Sequence, residues 1–186
     1  MVKTTKIAFI GTHGVGKTTL VLELTSDLRK LDINAINVPE VLGKCPIPRA
    51  PTHKGAEFDR ERVIKAQEWI LHSQAAEELR WGDQYTHLVC DRSAVDNYAY
   101  MVCLNGGNPF YESMVKGMMK TYDFLFKVPI NEKYLTVESA KNLDRGYQKK
   151  VDTIIIDLME KFNIPYHNLP LENPIQFAKE IMGLKK

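Results

Sequence analysis

Short apolar runs alternate along this chain with longer stretches whose apolar residues recur every three or four positions. Lys6-Ile7-Ala8-Phe9-Ile10, Ala35-Ile36-Asn37-Val38, His87-Leu88-Val89-Cys90-Asp91 and Phe124-Leu125-Phe126-Lys127-Val128 are near-continuous runs. They have the length and apolar density of strands covered on both faces. Tyr166-His167-Asn168-Leu169 predicts a fifth strand. Between them the period lengthens. Leu20, Leu24 and Leu28 predict a helix reaching Leu31, and a long helix is expected from about Phe58 to Trp81, stopped by Gly82. Ser93 is a natural N-cap for a helix running to Leu104, and Phe110 to Lys120 predicts the next. Val151, Ile154, Ile155, Leu158, Met159 and Phe162 form one apolar stripe, and Pro174 to Leu184 predicts a final helix. Prolines and glycines punctuate these elements. Pro39 closes the second strand because it has no N–H for the ladder, and Asn105-Gly106-Gly107-Asn108-Pro109 breaks a helix.

Alternating strands and helices predict an α/β fold, a parallel sheet covered on both faces through right-handed crossovers. No repeat, linker or low-complexity tract divides the 186 residues, so a single domain spanning 1–186 is expected. An apolar fraction of 44% and a charged fraction of 26% fit a soluble chain. No apolar run approaches the roughly 18 residues that span a bilayer, and Met1 to Thr5 lacks the profile of a signal peptide. A cytoplasmic protein without membrane attachment is expected. The net charge of +2 is too small to imply a nucleic-acid polymer or an acidic membrane as partner. Cys45, Cys90 and Cys103 are odd in number and lack metal-ligand spacing, so reduced thiols are expected, and the five histidines are scattered singly.

The candidate chemistry begins at Gly11-Thr12-His13-Gly14-Val15-Gly16-Lys17-Thr18-Thr19, a full phosphate-loop pattern placed between a strand and a helix. Glycines let successive N–H groups turn round an anion, and the helix N-terminus that follows favours negative charge. Lys17 is placed to reach β and γ phosphates, and the Thr18 hydroxyl to ligate Mg2+. A nucleoside triphosphate site follows.

Two acids sit where such a ligand must lie, beyond the carboxyl ends of strands. Glu40 follows the second strand and is a candidate general base; Asp91 ends the third and is a candidate metal-side carboxylate. Arg92, next to Asp91, can contact a transferring phosphoryl group. Gln67 and Gln74 share a stripe of the long helix with Ile70 and can read the edge of a base. Gly43 to Glu57 is a long Pro-rich loop whose Arg49 can meet an anionic group. The segment from Asn131 to Lys150 combines weak structure with Lys133, Lys141, Arg145, Lys149 and Lys150, the composition of a basic lid, and Arg145 is its best arginine.

Taken together, Gly11 to Thr19, Val38-Pro39-Glu40, Val89-Cys90-Asp91-Arg92-Ser93 with Asp96 and Tyr100, and Asp144-Arg145 resemble small P-loop kinases. The chain is most similar to the AAA-type family containing the nicotinamide riboside kinase domain, and more loosely to deoxyribonucleoside and thymidylate kinases. The resemblance implies a three-layer P-loop fold with strand order 2-3-1-4-5. It also implies ATP and Mg2+ as cofactors and phosphoryl transfer to a small nucleoside or nucleotide acceptor. Under it Glu40 is the base or hydroxyl ligand, Asp91 the metal-side acid, Arg92 the phosphoryl or hydroxyl contact, and Gln67 the base-reading amide with Gln74 as rival. The sequence departs from the riboside kinase branch at Gly43, where that branch carries arginine, and in a lid dominated by lysine. The loop alone serves an NTP hydrolase or a nucleotide-binding switch equally well. A regulatory GTPase is disfavoured by the lack of an Asn-Lys-x-Asp motif.

Overall fold

A computed structural model describes residues 3–48, 59–131 and 144–184. Five parallel strands form one sheet: β1 (Thr5–Ile10), β2 (Ala35–Val38), β3 (His87–Asp91), β4 (Phe124–Lys127) and β5 (His167–Asn168), in the order β2-β3-β1-β4-β5. The expected order 2-3-1-4-5 is the observed one. Among the described residues the helices are α1 (Lys17–Lys30), α2 (Arg60–Gly82), α3 (Ala94–Asn105), α4 (Pro109–Met119), α5 (Arg145–Phe162) and α6 (Pro174–Ile181).

Successive side chains of a strand point to opposite faces, and the two cores follow that rule. Ile7 and Phe9 of β1 pack with Val89, Phe126 and the Leu20, Leu24 and Leu28 stripe of α1. Ala8 and Ile10 pack on the other face with Leu88, Cys90 and Leu125 against α3, α4 and the Val151, Ile155 and Leu158 stripe of α5. Burial on both faces is why β1, β3 and β4 read as nearly unbroken apolar runs.

Several expected boundaries shift. β5 keeps two ladder residues of the four predicted, and α6 stops at Ile181 instead of Leu184. The expected weak structure up to Lys150 is corrected, because 145–150 is already the start of α5, capped by Asp144, whose side chain accepts from the Tyr147 N–H at 3.0 Å. The cap adds a full turn before the apolar stripe begins. Lys133 and Lys141 lie outside the described residues, as does Arg49; of the Pro-rich loop, Leu42–Lys44 forms a single 3-10 turn. The three cysteines are free thiols. Among the described residues no helix is long and apolar enough to cross a membrane.

Candidate functional site

The sheet's carboxyl edge gathers the candidate residues because parallel strands all end there. β1 runs directly into Gly11, whose φ of +143° and close approach to the Val128 carbonyl, 3.0 Å from where a Cβ would stand, leave no room for a side chain. Gly16, with φ +89°, turns the chain into α1. The loop is held from both sides. The Asp96 carboxylate accepts from the Gly11 N–H at 2.6 Å through one oxygen and from the Ser93 N–H and hydroxyl at 2.8 Å through the other. Ser93 is the N-cap of α3, as expected. Tyr100, one turn after Asp96 on α3, accepts from the His13 N–H at 3.0 Å and contacts His13 Nδ1 at 2.9 Å.

Lys17 is buried and folded over this loop, donating to the Gly11 carbonyl at 2.8 Å and the Thr12 carbonyl at 2.5 Å. Burial, reinforced by the neighbouring Arg92 charge, lowers its ammonium pKa to about 8. His13 is pushed below the ordinary histidine value by burial first and then by Arg92 and Lys17, which disfavours a charged ring. The Thr18 hydroxyl donates to Asp91 Oδ2 at 2.5 Å. A hydroxyl and a carboxylate in contact are hard oxygen donors of the kind that hold Mg2+ beside phosphate oxygens, and the pair fits that ion.

Arg92 takes the left-handed conformation, φ +84°, which a long side chain rarely adopts and which costs of order 1–3 kcal/mol. The turn sends its buried guanidinium over the Tyr100 ring at 5.1 Å and places Nε 2.9 Å from Glu40 Oε1. The N–H of Nε is not aimed at that oxygen and has no hydrogen-bond partner among the described residues, so the contact is an ion pair by proximity rather than a directed bond. Glu40 itself is a quarter exposed.

Glu40 and Arg92 stand in the wall of a cavity of about 290 Å3, with Gln67, Asn97, Tyr100 and Tyr147. The size suits a small ligand at the lower end of the usual range. His13, Tyr100 and Tyr147 bring three rings within 5.9–6.2 Å of one another along one side. Asn97 is a lining residue whose buried Nδ2 has no hydrogen-bond partner among the described residues. Gln74 lies elsewhere. It donates to Glu78 Oε1 at 2.9 Å, in a buried cluster with Tyr122 and Lys6. Arg145 is the exposed first residue of α5, two positions before Tyr147. On the far side of the phosphate loop, Gly16, Thr19, Leu20, Asn173 and Gln176 line a second cleft of about 410 Å3 between α1 and the start of α6.

A profile of the AAA domain family AAA_28 matches residues 6–176. The chain belongs to this family. No curated protein matches its sequence. Among solved structures, it is similar to thymidylate kinase from Ehrlichia chaffeensis, with a TM-score of 0.62 and 15% identity over 97% of this chain and 99% of that one. It is also similar to deoxyadenosine kinase from M. mycoides, solved with the products dCMP and dCDP, with a TM-score of 0.61 and 15% identity over 96% and 97% of the two chains. At that identity the likeness establishes the fold: this AAA_28 chain has the P-loop kinase architecture, strand order included.

Sequence reasoning passed over Asn97 and Tyr147. Asn97 follows Asp96 in a stretch already singled out, but nothing local marks its amide as unpartnered. Tyr147 was absorbed into the expected lid. The depressed Lys17 pKa carries a prediction in its sign. A polyphosphate beside the ammonium favours the charged form, so binding raises the pKa above its value of about 8 and takes up protons from solution. Calorimetric titration with MgATP at pH 8, in buffers of different ionisation enthalpy, is expected to show uptake of about half a proton, falling toward zero at pH 7. No uptake at pH 8 contradicts it.

Proposed function

We propose that the chain transfers the γ-phosphoryl group of ATP to a hydroxyl of a small nucleoside-like acceptor held in the 290 Å3 cavity. The observation that carries this reading is the Glu40–Arg92 pair, 2.9 Å apart, in the wall of that cavity, which His13 of the phosphate loop also lines. In-line transfer needs an acceptor oxygen on that side, a base for its proton and positive charge for the moving phosphoryl group. Glu40 takes the hydroxyl proton as the acceptor oxygen bonds to the γ phosphorus and the bond to the β–γ bridging oxygen breaks, leaving ADP. Arg92 and Lys17 offset charge on the phosphoryl oxygens. Residues 14–19 cradle the phosphates, and the second cleft beside Thr19 takes the donor's base. Thr18 and Asp91 hold Mg2+, which when bound neutralises phosphate charge.

Gln67 and Asn97 are the polar groups for the acceptor's base or amide edge, and the aromatic side packs its ring. Among the described lining residues the cation is Arg92, already balanced by Glu40, which favours a neutral acceptor over a nucleoside monophosphate. Arg145 is assigned to a lid contact on the phosphoryl group, and the chain to the cytoplasm. The test is an acceptor panel with ATP and Mg2+: nucleosides, nucleoside monophosphates and nicotinamide riboside. Turnover dependent on a neutral nucleoside is expected. ATP loss indifferent to every acceptor overturns the reading in favour of a hydrolase.

A further inference from the structure

Lys127 is a buried charged residue ending a strand whose other residues, Phe124, Leu125 and Phe126, are apolar. It is the last residue of β4, 5% exposed, and its Nζ lies 2.9 Å from Asp152 Oδ1 and 3.0 Å from the Val128 carbonyl. The same Nζ is 3.7 Å from where a Cβ of Gly11 would stand, directly beneath the phosphate loop. Asp152 is itself only 15% exposed, and its Oδ1 also accepts from the Thr12 N–H at 3.4 Å. One helical turn earlier on the same face of α5, the buried Gln148 donates to the His13 carbonyl at 2.8 Å.

A buried ion pair is a poor route to stability, because desolvation cancels most of its attraction. Apolar residues would serve the core better at this point. What the pair does have is a geometric consequence: β4 and α5 together hold the polar backbone of Thr12 and His13. A fixed first half sets the direction of the loop's later N–H groups, and an anion site whose donors are already aligned loses less entropy when it fills.

We propose that the Lys127–Asp152 pair, with Gln148, is a positioning device that holds residues 12 and 13 in the shape the phosphate loop needs to receive a polyphosphate. This rests on the reading of Gly11 to Thr19 as the donor site. Lys127 also cancels the Asp152 charge, which would otherwise face the incoming phosphates from beneath the loop. None of the three residues touches the reacting atoms.

The test uses the full chain with MgATP as probe, measuring its Kd by calorimetry, the KM for ATP and for the acceptor, and the melting temperature. Asp152→Asn and Lys127→Met are each expected to weaken MgATP binding about tenfold while the acceptor KM changes less than threefold. The double variant is expected to be no weaker than the worse single one, because the two residues act as a unit. Gln148→Leu, which removes one neutral bond, is expected to weaken MgATP about threefold and decides the matter if the charge variants do not fold. A folded variant with unchanged MgATP affinity, or equal losses for donor and acceptor, overturns the positioning role alone. A wild-type chain that binds no nucleoside triphosphate overturns the donor-site reading, and this inference with it.

Discussion

Replacing Lys17 with Met is expected to lower phosphoryl transfer on the order of a thousandfold while leaving the melting temperature unchanged or raised. The two halves of that result have one cause. In the ligand-free chain the ammonium is buried, with a pKa lowered from the ordinary 10.5 to about 8, so its charged form carries a penalty of ~3 kcal/mol at neutral pH. Its bonds to the Gly11 and Thr12 carbonyls return part of that cost, and an apolar side chain of similar length incurs none of it. The penalty is repaid when phosphates arrive, because the donor that was costly alone becomes a preorganised partner for negative charge in a dry site. Turnover with ATP and the best acceptor, measured beside a thermal melt, checks both halves. A Met variant retaining a tenth of the activity would show that Lys17 is not the phosphate contact.

Glu40→Gln is expected to lower kcat for a neutral hydroxyl acceptor by about 100- to 1000-fold, with the KM for ATP little changed. The amide keeps the shape of the carboxylate and loses its basicity. It also removes the counter-charge of a buried guanidinium, so a fall in stability of ~1–3 kcal/mol accompanies the change, discounted because Glu40 is partly exposed. That second effect supplies a rival explanation, in which Glu40 matters only by holding Arg92. A nucleoside monophosphate separates the two, since its acceptor oxygen has no proton to lose at neutral pH. If Glu40 is the base, the variant's residual activity is relatively higher with the monophosphate; if it only anchors Arg92, both acceptors lose the same factor. Turnover within threefold of wild type on a neutral acceptor would remove Glu40 from the mechanism.

The candidate site was legible in the sequence wherever its chemistry is tied to local pattern. Glycine spacing defines the loop, and strand ends locate Glu40 and Asp91 because all parallel strands present their carboxyl ends to one edge. Pairs of residues distant in sequence were not legible. Gln67 and Gln74 lie on one helical stripe, yet seven residues along a helix is a displacement of about 10 Å. Where α2 crosses the sheet, that distance separates the cavity wall from the buried Glu78 cluster. Nothing within α2 tells the two glutamines apart.

The sequence by itself determined the elements and their chemistry: four apolar runs long enough to be strands and a weaker fifth signal at Tyr166 to Leu169, helices with one apolar face, and a loop whose glycines and lysine suit phosphate. These follow from forces that act within a few residues of one another, such as period, capping and steric freedom. Only the tertiary structure decided which of the polar residues meet. It turned Arg92 onto Glu40, buried the Asn97 amide nitrogen in the cavity wall without a partner among the described residues, and joined Lys127 of β4 to Asp152 of α5 under Thr12. The reason is that burial makes unpaired polar groups expensive, and which groups are buried together depends on how two layers of helices settle on a sheet.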